Sequence, residues 1–271
     1  MSIEKLQSHW GFTVMPFRRN LPVASLHRFR AHAEAAARIR WLIDQHAFGV
    51  LTGEVGAGKT AAARAATAGL DASRHTVIYL PNPAIGSRGI LGAIVTALGE
   101  TPRFHYATLI PQTAQVLDTE TAERGRQVIL IIDEAHLLDP GQLEAIRILT
   151  SADMDSRSPL ACLLIGQPTL RRRIKLGAFA ALDQRITLRY AMPGMSDTET
   201  KAYISHHTTV AGRTDTLFSD DAAALIHQTA RGLPRAVNNL AIAGLIAAFA
   251  TGKSIVDESA ARSAVTEITT E

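Results

Sequence analysis

The chain has 271 residues, of which 46% are hydrophobic and 20% charged, with a formal net charge of +3 and one cysteine. That composition is globular; it excludes a low-complexity or disordered chain and a disulfide-stapled secreted fold. The mild basic balance is no nucleic-acid signature by itself, and the length suits one large domain or a core with a smaller lobe.

The opening "MSIEKLQSHWGF" lacks the apolar centre of a secretory signal. Trp10, Phe12 and Phe17 follow in "WGFTVMPF", where aromatics are expected to pack under the core. "AHAEAAARIRWLIDQHA" (31–47) is alanine-rich and predicts a helix. "FGVLT" (48–52) then reads as a buried strand, and "GEVGAGKT" follows it directly. The spacing from Gly53 to Thr60 is that of a phosphate-binding loop. Each residue type has a reason. Gly53, Gly56 and Gly58 let the backbone, with Glu54, Val55 and Ala57, wrap an anion so that successive N–H groups point inward. A helix starting near Lys59, through Thr60 and Ala61, adds its positive N-terminal end. Lys59 is placed to reach the β- and γ-phosphates, and the Thr60 hydroxyl to take one position on Mg²⁺.

Further strands are predicted at 76–80, 127–133, 159–166 and 186–192, with helical stretches between them. Apolar strands alternating with helices argue for a parallel sheet covered on both faces, an α/β fold. "VILIIDEAH" supplies the partner acid that a phosphate loop needs. Asp133 follows five apolar residues and would hold Mg²⁺ opposite Thr60, directly or through water. Glu134 comes next, in place to polarise the attacking water as general base. Cys162 lies in the apolar run "PLACLLIG" and reads as a buried, inert thiol.

After "MPG" (192–194) the strand pattern stops. Ser196 and Glu199 stand at capping-box spacing, and three more helical stretches follow. The expected division is therefore a core over residues 1–194, including an N-terminal extension, and an all-helical lid over 195–271. The longest apolar run, Leu240–Ala250, is about half of a membrane span. The expectation is a soluble cytoplasmic protein with no membrane contact.

From "WGFTVMPF" through "GEVGAGKT", "DEAHLL", "LLIGQPTL", "LDQRI" and "GLPRAVNNL", the chain resembles AAA+ ATPases. More narrowly it resembles the bacterial ExeA/TniB/TnsC/MuB group, most of them DNA-transposition helpers. The resemblance implies a P-loop NTPase sheet with a helical lid, ATP and Mg²⁺ as ligands, and ATP-dependent homo-oligomers, rings or filaments. It also implies further site residues. Gln167 ends the fourth strand where the family places a polar sensor. Arg185 in "LDQRI" matches an arginine reaching into a neighbour's site, with Arg171, Arg172 and Arg173 competing for that role. Arg235 in "GLPRAV" matches the lid arginine, and Pro16 and Phe17 the segment near the adenine. Helicases that share the "DEAH" letters have tandem cores, for which this length has no room.

For the partner, the resemblance favours a helper that polymerises on duplex DNA and recruits a DDE-type transposase or integrase. The alternatives are a secretion-linked ATPase of the ExeA type, which carries a membrane segment after its ATPase domain where this sequence stops at Glu271, and a STAND-like signalling ATPase. Arg88 and Arg103, with His105 and Tyr106 beside them, are the candidate DNA contacts. Ordinary solvated surface is the alternative for each. The run "LRRRIKLG" is the other basic cluster, and no base-reading element is evident, so binding should be to the phosphate backbone.

Overall fold

A computed structural model describes residues 2–151 and 158–269. Their contacts divide the chain into two compact units. One is the sheet unit, Glu34–Glu54 and Lys59–Met192; the other is the helical unit, Met1–Ala33, Val55–Gly58 and Pro193–Glu271.

The sheet unit is built on five parallel strands: β1 (Phe48–Thr52), β2 (His75–Leu80), β3 (Gln127–Ile132), β4 (Leu160–Gly166) and β5 (Ile186–Ala191). Their order is β2-β3-β4-β1-β5, so β4 lies between the strand that leads into the glycine loop and the strand that ends at Asp133. Each strand begins within a residue or so of its expected position. The three central strands are buried along nearly their whole length, as their unbroken apolar runs require.

Alternate residues feed two faces. Phe48, Val50, Leu130, Ile132, Cys162 and Leu164 join one apolar cluster with helices α4 (Gly86–Ala97), α5 (Tyr106–Asp118), α6 (Pro140–Leu149), α7 (Pro168–Ile174) and α8 (Ala180–Arg185). On the other face α2 (Arg30–Asp44) comes so close that a Cβ at Gly49 would lie 2.2 Å from Leu42 Cδ1. The small side chains of α3 (Lys59–Thr67), Ala62, Ala63 and Ala66, are buried as well. Cys162 is fully buried and burial pushes its thiol pKa up, so it is an inert packing residue.

In the helical unit, α9 (Asp197–Val210), α10 (Asp220–Ala230), α11 (Pro234–Ala250) and α12 (Glu258–Thr269) follow one another. Ser196 and Glu199 form the expected capping box, each side chain accepting the other residue's backbone N–H. Gly232 ends α10 at φ +67, and a Cβ there would lie 2.0 Å from the Met195 carbonyl, so this turn admits only glycine. No helix among the described residues is long and apolar enough to cross a membrane.

Residues 1–33, expected as an extension of the nucleotide-binding core, are grouped with the helical unit. The reason is packing. α1 (Ile3–Trp10) carries the buried Trp10, whose carbonyl accepts from Arg213, and Thr13 donates from backbone and side chain to Ala211. Phe17 is buried, stacked on His207 at 5.0 Å and edge-on to Phe218 at 6.5 Å. His206 bonds the Ser25 carbonyl at 2.8 Å, and His27 lies 5.1 Å from His206.

His207 is pushed down to about 3, first by burial and then by the neighbouring His206 and His27. It is therefore neutral when folded and titrates near 6.5 when unfolded, so the unfolded chain binds more protons between those values. Its contribution to stability is whole above pH 6.5 and is lost as pH falls towards 3. Denaturant titration should show a loss of about 2 kcal/mol between pH 6.5 and about pH 5, and His207→Gln should flatten that dependence.

Candidate functional site

All five strands run the same way, so the segments leaving their C-terminal ends share one edge of the sheet. The glycine loop leaves β1 there and Asp133 leaves β3. Gly53 donates its N–H to the Gly166 carbonyl at 3.3 Å, tying the start of the loop to the end of β4. Gly56 and Gly58 have φ of +81 and +93, the left-handed region that lets the chain reverse before α3. α3 begins at Lys59, so Lys59, Thr60 and Ala61 form its first turn, where helix N–H groups face the loop end.

Lys59 folds back over the loop, with Nζ donating to the Gly53 and Glu54 carbonyls, each at 2.9 Å. Thr60 Oγ1 donates to Asp133 Oδ2 at 2.7 Å, joining residues 73 positions apart in sequence. Two hard oxygen donors, a hydroxyl and a carboxylate, thus stand side by side. Asp133 is buried, and its Oδ1 accepts the Glu134 backbone N–H at 2.8 Å. Glu134 takes a left-handed backbone (φ +50), and its Oε2 lies 3.4 Å from His136 Nδ1. The side chain of Glu134 is half exposed.

Val55, Gly56, Ala57 and Gly58 belong with the helical unit. Within it the Arg235 backbone N–H donates to the Gly56 carbonyl at 3.2 Å, and a Cβ at Gly56 would lie 2.6 Å from Arg235 Cβ. Arg235 is at the first turn of α11. Gln167 follows β4 directly, between the ends of β1 and β3, as the N-cap residue of α7.

Other sequence candidates lie elsewhere. Arg185 precedes β5, whose first residue pairs with Phe48 and whose last pairs with Thr52. It is therefore at the opposite edge of the sheet, roughly 15 Å from the loop by strand rise. Its Nη1 reaches the Thr150 carbonyl at 3.4 Å. Arg173 donates to the carbonyls of His136, at 2.9 Å, and Leu138, so it braces the segment after Asp133. Arg171 and Arg172 are exposed. Phe17 has its ring stacked on His207 and edge-on to Phe218.

Arg88 and Arg103 come together near one exposed loop. Arg88 Nε donates to the Phe104 carbonyl at 2.9 Å, and its guanidinium lies 5.3 Å from the Phe104 ring. Arg103 donates its N–H to Gln112 Oε1 at 2.9 Å, and Gln112 Nε2 returns a bond to Thr101 at 3.0 Å. Phe104 itself is 78% exposed. The sequence reading missed it, although an aromatic between Arg103 and His105 in a proline-bounded stretch was a usable signal. It also missed Tyr79, whose phenol donates to Asp133 Oδ2 at 2.9 Å. Burial, then the Asp133 charge, pushes that phenol up to about 12. No motif marks a tyrosine in "TVIYL".

A family model described as "AAA domain" matches residues 42–174. A curated relative, General secretion pathway protein A of Aeromonas hydrophila, is 33% identical over 246 residues, which cover 90% of this chain and 45% of that protein. The chain thus spans a little under half of this relative's length. Among solved structures, the ORC2 protein of Aeropyrum pernix in ADPNP-ADP complexes superimposes with a TM-score of 0.64 at 20% identity, over 93% of this chain and 70% of the other. The ORC1 protein of the same organism, in complex with DNA, gives 0.65 at 16% identity, over 92% and 68%. Those identities speak for the fold. Residues 42–174 thus match an AAA domain, and the five-stranded parallel sheet with its helices has the fold of those structures.

Proposed function

We propose that the chain is a Mg²⁺-dependent ATPase whose nucleotide state governs its self-assembly on duplex DNA. The observation that carries the catalytic half is the 2.7 Å contact between Thr60 and Asp133, which joins the phosphate loop to the acid. Lys59 would exchange the Gly53 and Glu54 carbonyls for β- and γ-phosphate oxygens, a charge-assisted trade that favours the anion. Gly53–Ala61 would wrap the phosphates with backbone N–H groups. Thr60 and Asp133 suit Mg²⁺ because they are oxygen donors too few to form a cage, leaving room for substrate phosphates. When bound, the ion would neutralise charge on the phosphate oxygens. Glu134 would take the proton of the attacking water, Gln167 would orient the terminal phosphate, and Arg235, whose backbone N–H bonds Gly56, would couple the lid to the nucleotide.

Arg185, at the far edge of its own sheet, is suited to act on a second copy's site rather than its own. The domain division behind this reading is a nucleotide-binding core followed by a helical lid beginning near residue 195.

For the partner, the exposed loop with Arg88, Arg103 and Phe104 supports a polyanion. The recruitment of a DDE-type transposase rests on the sequence resemblance. A secretion-linked role is favoured by a separate observation, the 33% identity to General secretion pathway protein A over 90% of this chain. Because the chain covers 45% of that relative, its end at Glu271 carries no weight between the two readings.

Three outcomes test this reading. Glu134→Gln should keep nucleotide binding while slowing hydrolysis by about 10²-fold or more, in a phosphate-release assay. Equal rates would remove Glu134 as the base. Mixing Arg185→Ala with Lys59→Ala protein should restore part of the hydrolysis that each lacks, since a mixed interface pairs an intact arginine with an intact loop. Assembly without rescue would exclude Arg185 as a finger. With ATP, fluorescence anisotropy should show duplex DNA binding with little sequence preference. Replacing Arg88 and Arg103 should flatten the salt slope by about one unit for each DNA phosphate no longer neutralised. No DNA affinity at low salt would leave the secretion-linked role as the better reading.

A further inference from the structure

The Asp133 carboxylate is engaged at three points. Oδ1 accepts the Glu134 N–H at 2.8 Å, while Oδ2 accepts both the Thr60 hydroxyl at 2.7 Å and the Tyr79 phenol at 2.9 Å. An ionised carboxylate offers about four lone-pair positions, two on each oxygen. These three donors account for both on Oδ2 and one on Oδ1.

The phenol's place is set by strand register. Tyr79 pairs with Ile131, Leu80 pairs with Ile132, and Asp133 N–H continues the ladder by donating to the Leu80 carbonyl at 2.9 Å. The tyrosine ring therefore starts one strand away and two residues back from the acid, a span its length covers. β2 is an edge strand and Tyr79 is 45% exposed, so water was an available partner for the hydroxyl, yet the hydroxyl turns onto Asp133.

We propose that Tyr79 is a positioning residue of the metal–nucleotide site, its phenol fixing Asp133 as the acceptor of the Thr60 proton. The inference rests on the reading of Thr60 and Asp133 as the Mg²⁺ residues. A hydroxyl has one proton and two lone pairs. With its proton committed to Asp133, Thr60 presents lone pairs to a cation. With Oδ2 filled by two donors, the carboxylate is held against rotation, and its remaining position lies on Oδ1. Loss of the phenol opens a position on Oδ2 and frees the carboxylate to turn, so the Thr60 proton loses its fixed acceptor. Partners that orient a metal-binding side chain in this way change metal affinity by about 10- to 100-fold when removed.

The test uses the full chain, with Mn²⁺ as the probe and ADP at saturation, free Mn²⁺ being read by electron paramagnetic resonance. Tyr79→Phe should weaken Mn²⁺ binding by about 10-fold. Its affinity for a fluorescent ADP measured in EDTA should equal the wild type's, a result that general damage to the site would not give. In an Asp133→Asn background, Tyr79→Phe should add nothing further. Unchanged or tighter Mn²⁺ binding in Tyr79→Phe overturns the inference, and so does an effect that persists without Asp133. Should Tyr79→Phe prove unstable, Tyr79→His, which keeps a ring donor, should retain more Mn²⁺ affinity than Tyr79→Leu; equality of those two overturns it. A wild type that holds no Mn²⁺ with ADP removes the underlying metal reading as well, whereas a wild type that binds it and an indifferent Tyr79→Phe remove this inference alone.

Discussion

The parallel register of the central strands decides where the chemistry sits. β1 and β3 are two strands apart, with β4 between them, so their ends are separated by about 9–10 Å across the sheet. Neither the loop nor the acid closes that gap from its strand alone. The loop does so by reversing through Gly56 and Gly58, which brings Thr60 back over the end of β4 to meet Asp133. A one-residue slip of β3 would turn Asp133 to the other face of the sheet and break that meeting. Close packing opposes the slip, because Val128, Leu130 and Ile132 on one face, and Ile129 and Ile131 on the other, are all buried and each would have to fit a differently shaped site. The apolar strands thus position the acid without touching it.

The same edge holds its polar groups in satisfied arrangements. Lys59 lies on two loop carbonyls, Thr60 and Tyr79 on Asp133, and Arg173 on the carbonyls after the acid. Each of these is a bond between a charged group and a dipole or hydroxyl, and each is weaker than the bond the same charge makes to an anion or cation. That ordering lets a ligand displace some partners while the backbone stays fixed. Arg173 differs in kind. Its two carbonyl bonds hold the turn that presents Glu134, which explains why an arginine from the basic run "LRRRIKLG" is structural here.

Most of the sheet was legible in the sequence because buried parallel strands need unbroken apolar runs, and "FGVLT", "VILII" and "LACLLIG" leave little choice. The loop was legible because glycine at the left-handed positions 56 and 58 has no ready substitute. The capping box at Ser196 was legible for the same local reason. What escaped depends on contacts between distant segments. Tyr79 meets Asp133 through strand register, and register is invisible in a single strand's composition. Residues 1–33 look like any amphipathic leader, and their grouping with residues 193–271 follows from Trp10, Thr13 and Phe17 finding partners about 200 positions away.

The loop that carries Phe104 presents a different kind of surface from the sheet edge that holds Asp133. An apolar ring at 78% exposure is ordinarily tolerated on a mobile tip, where order costs nothing. Here the loop is ordered from beneath. Buried Gln112 bonds the backbone at Thr101 and Arg103, and Arg88 bonds the carbonyl of Phe104 itself. The Arg88 guanidinium also lies beside the ring, so a cation and an aromatic face are held together at a fixed spacing. Ordering the loop in advance reduces the entropy a partner loses on binding. A cation and an exposed ring at a fixed spacing offer one charged and one apolar contact side by side. The sequence neighbours of Phe104, Arg103 and His105, are polar and exposed, so the ring stands among polar groups.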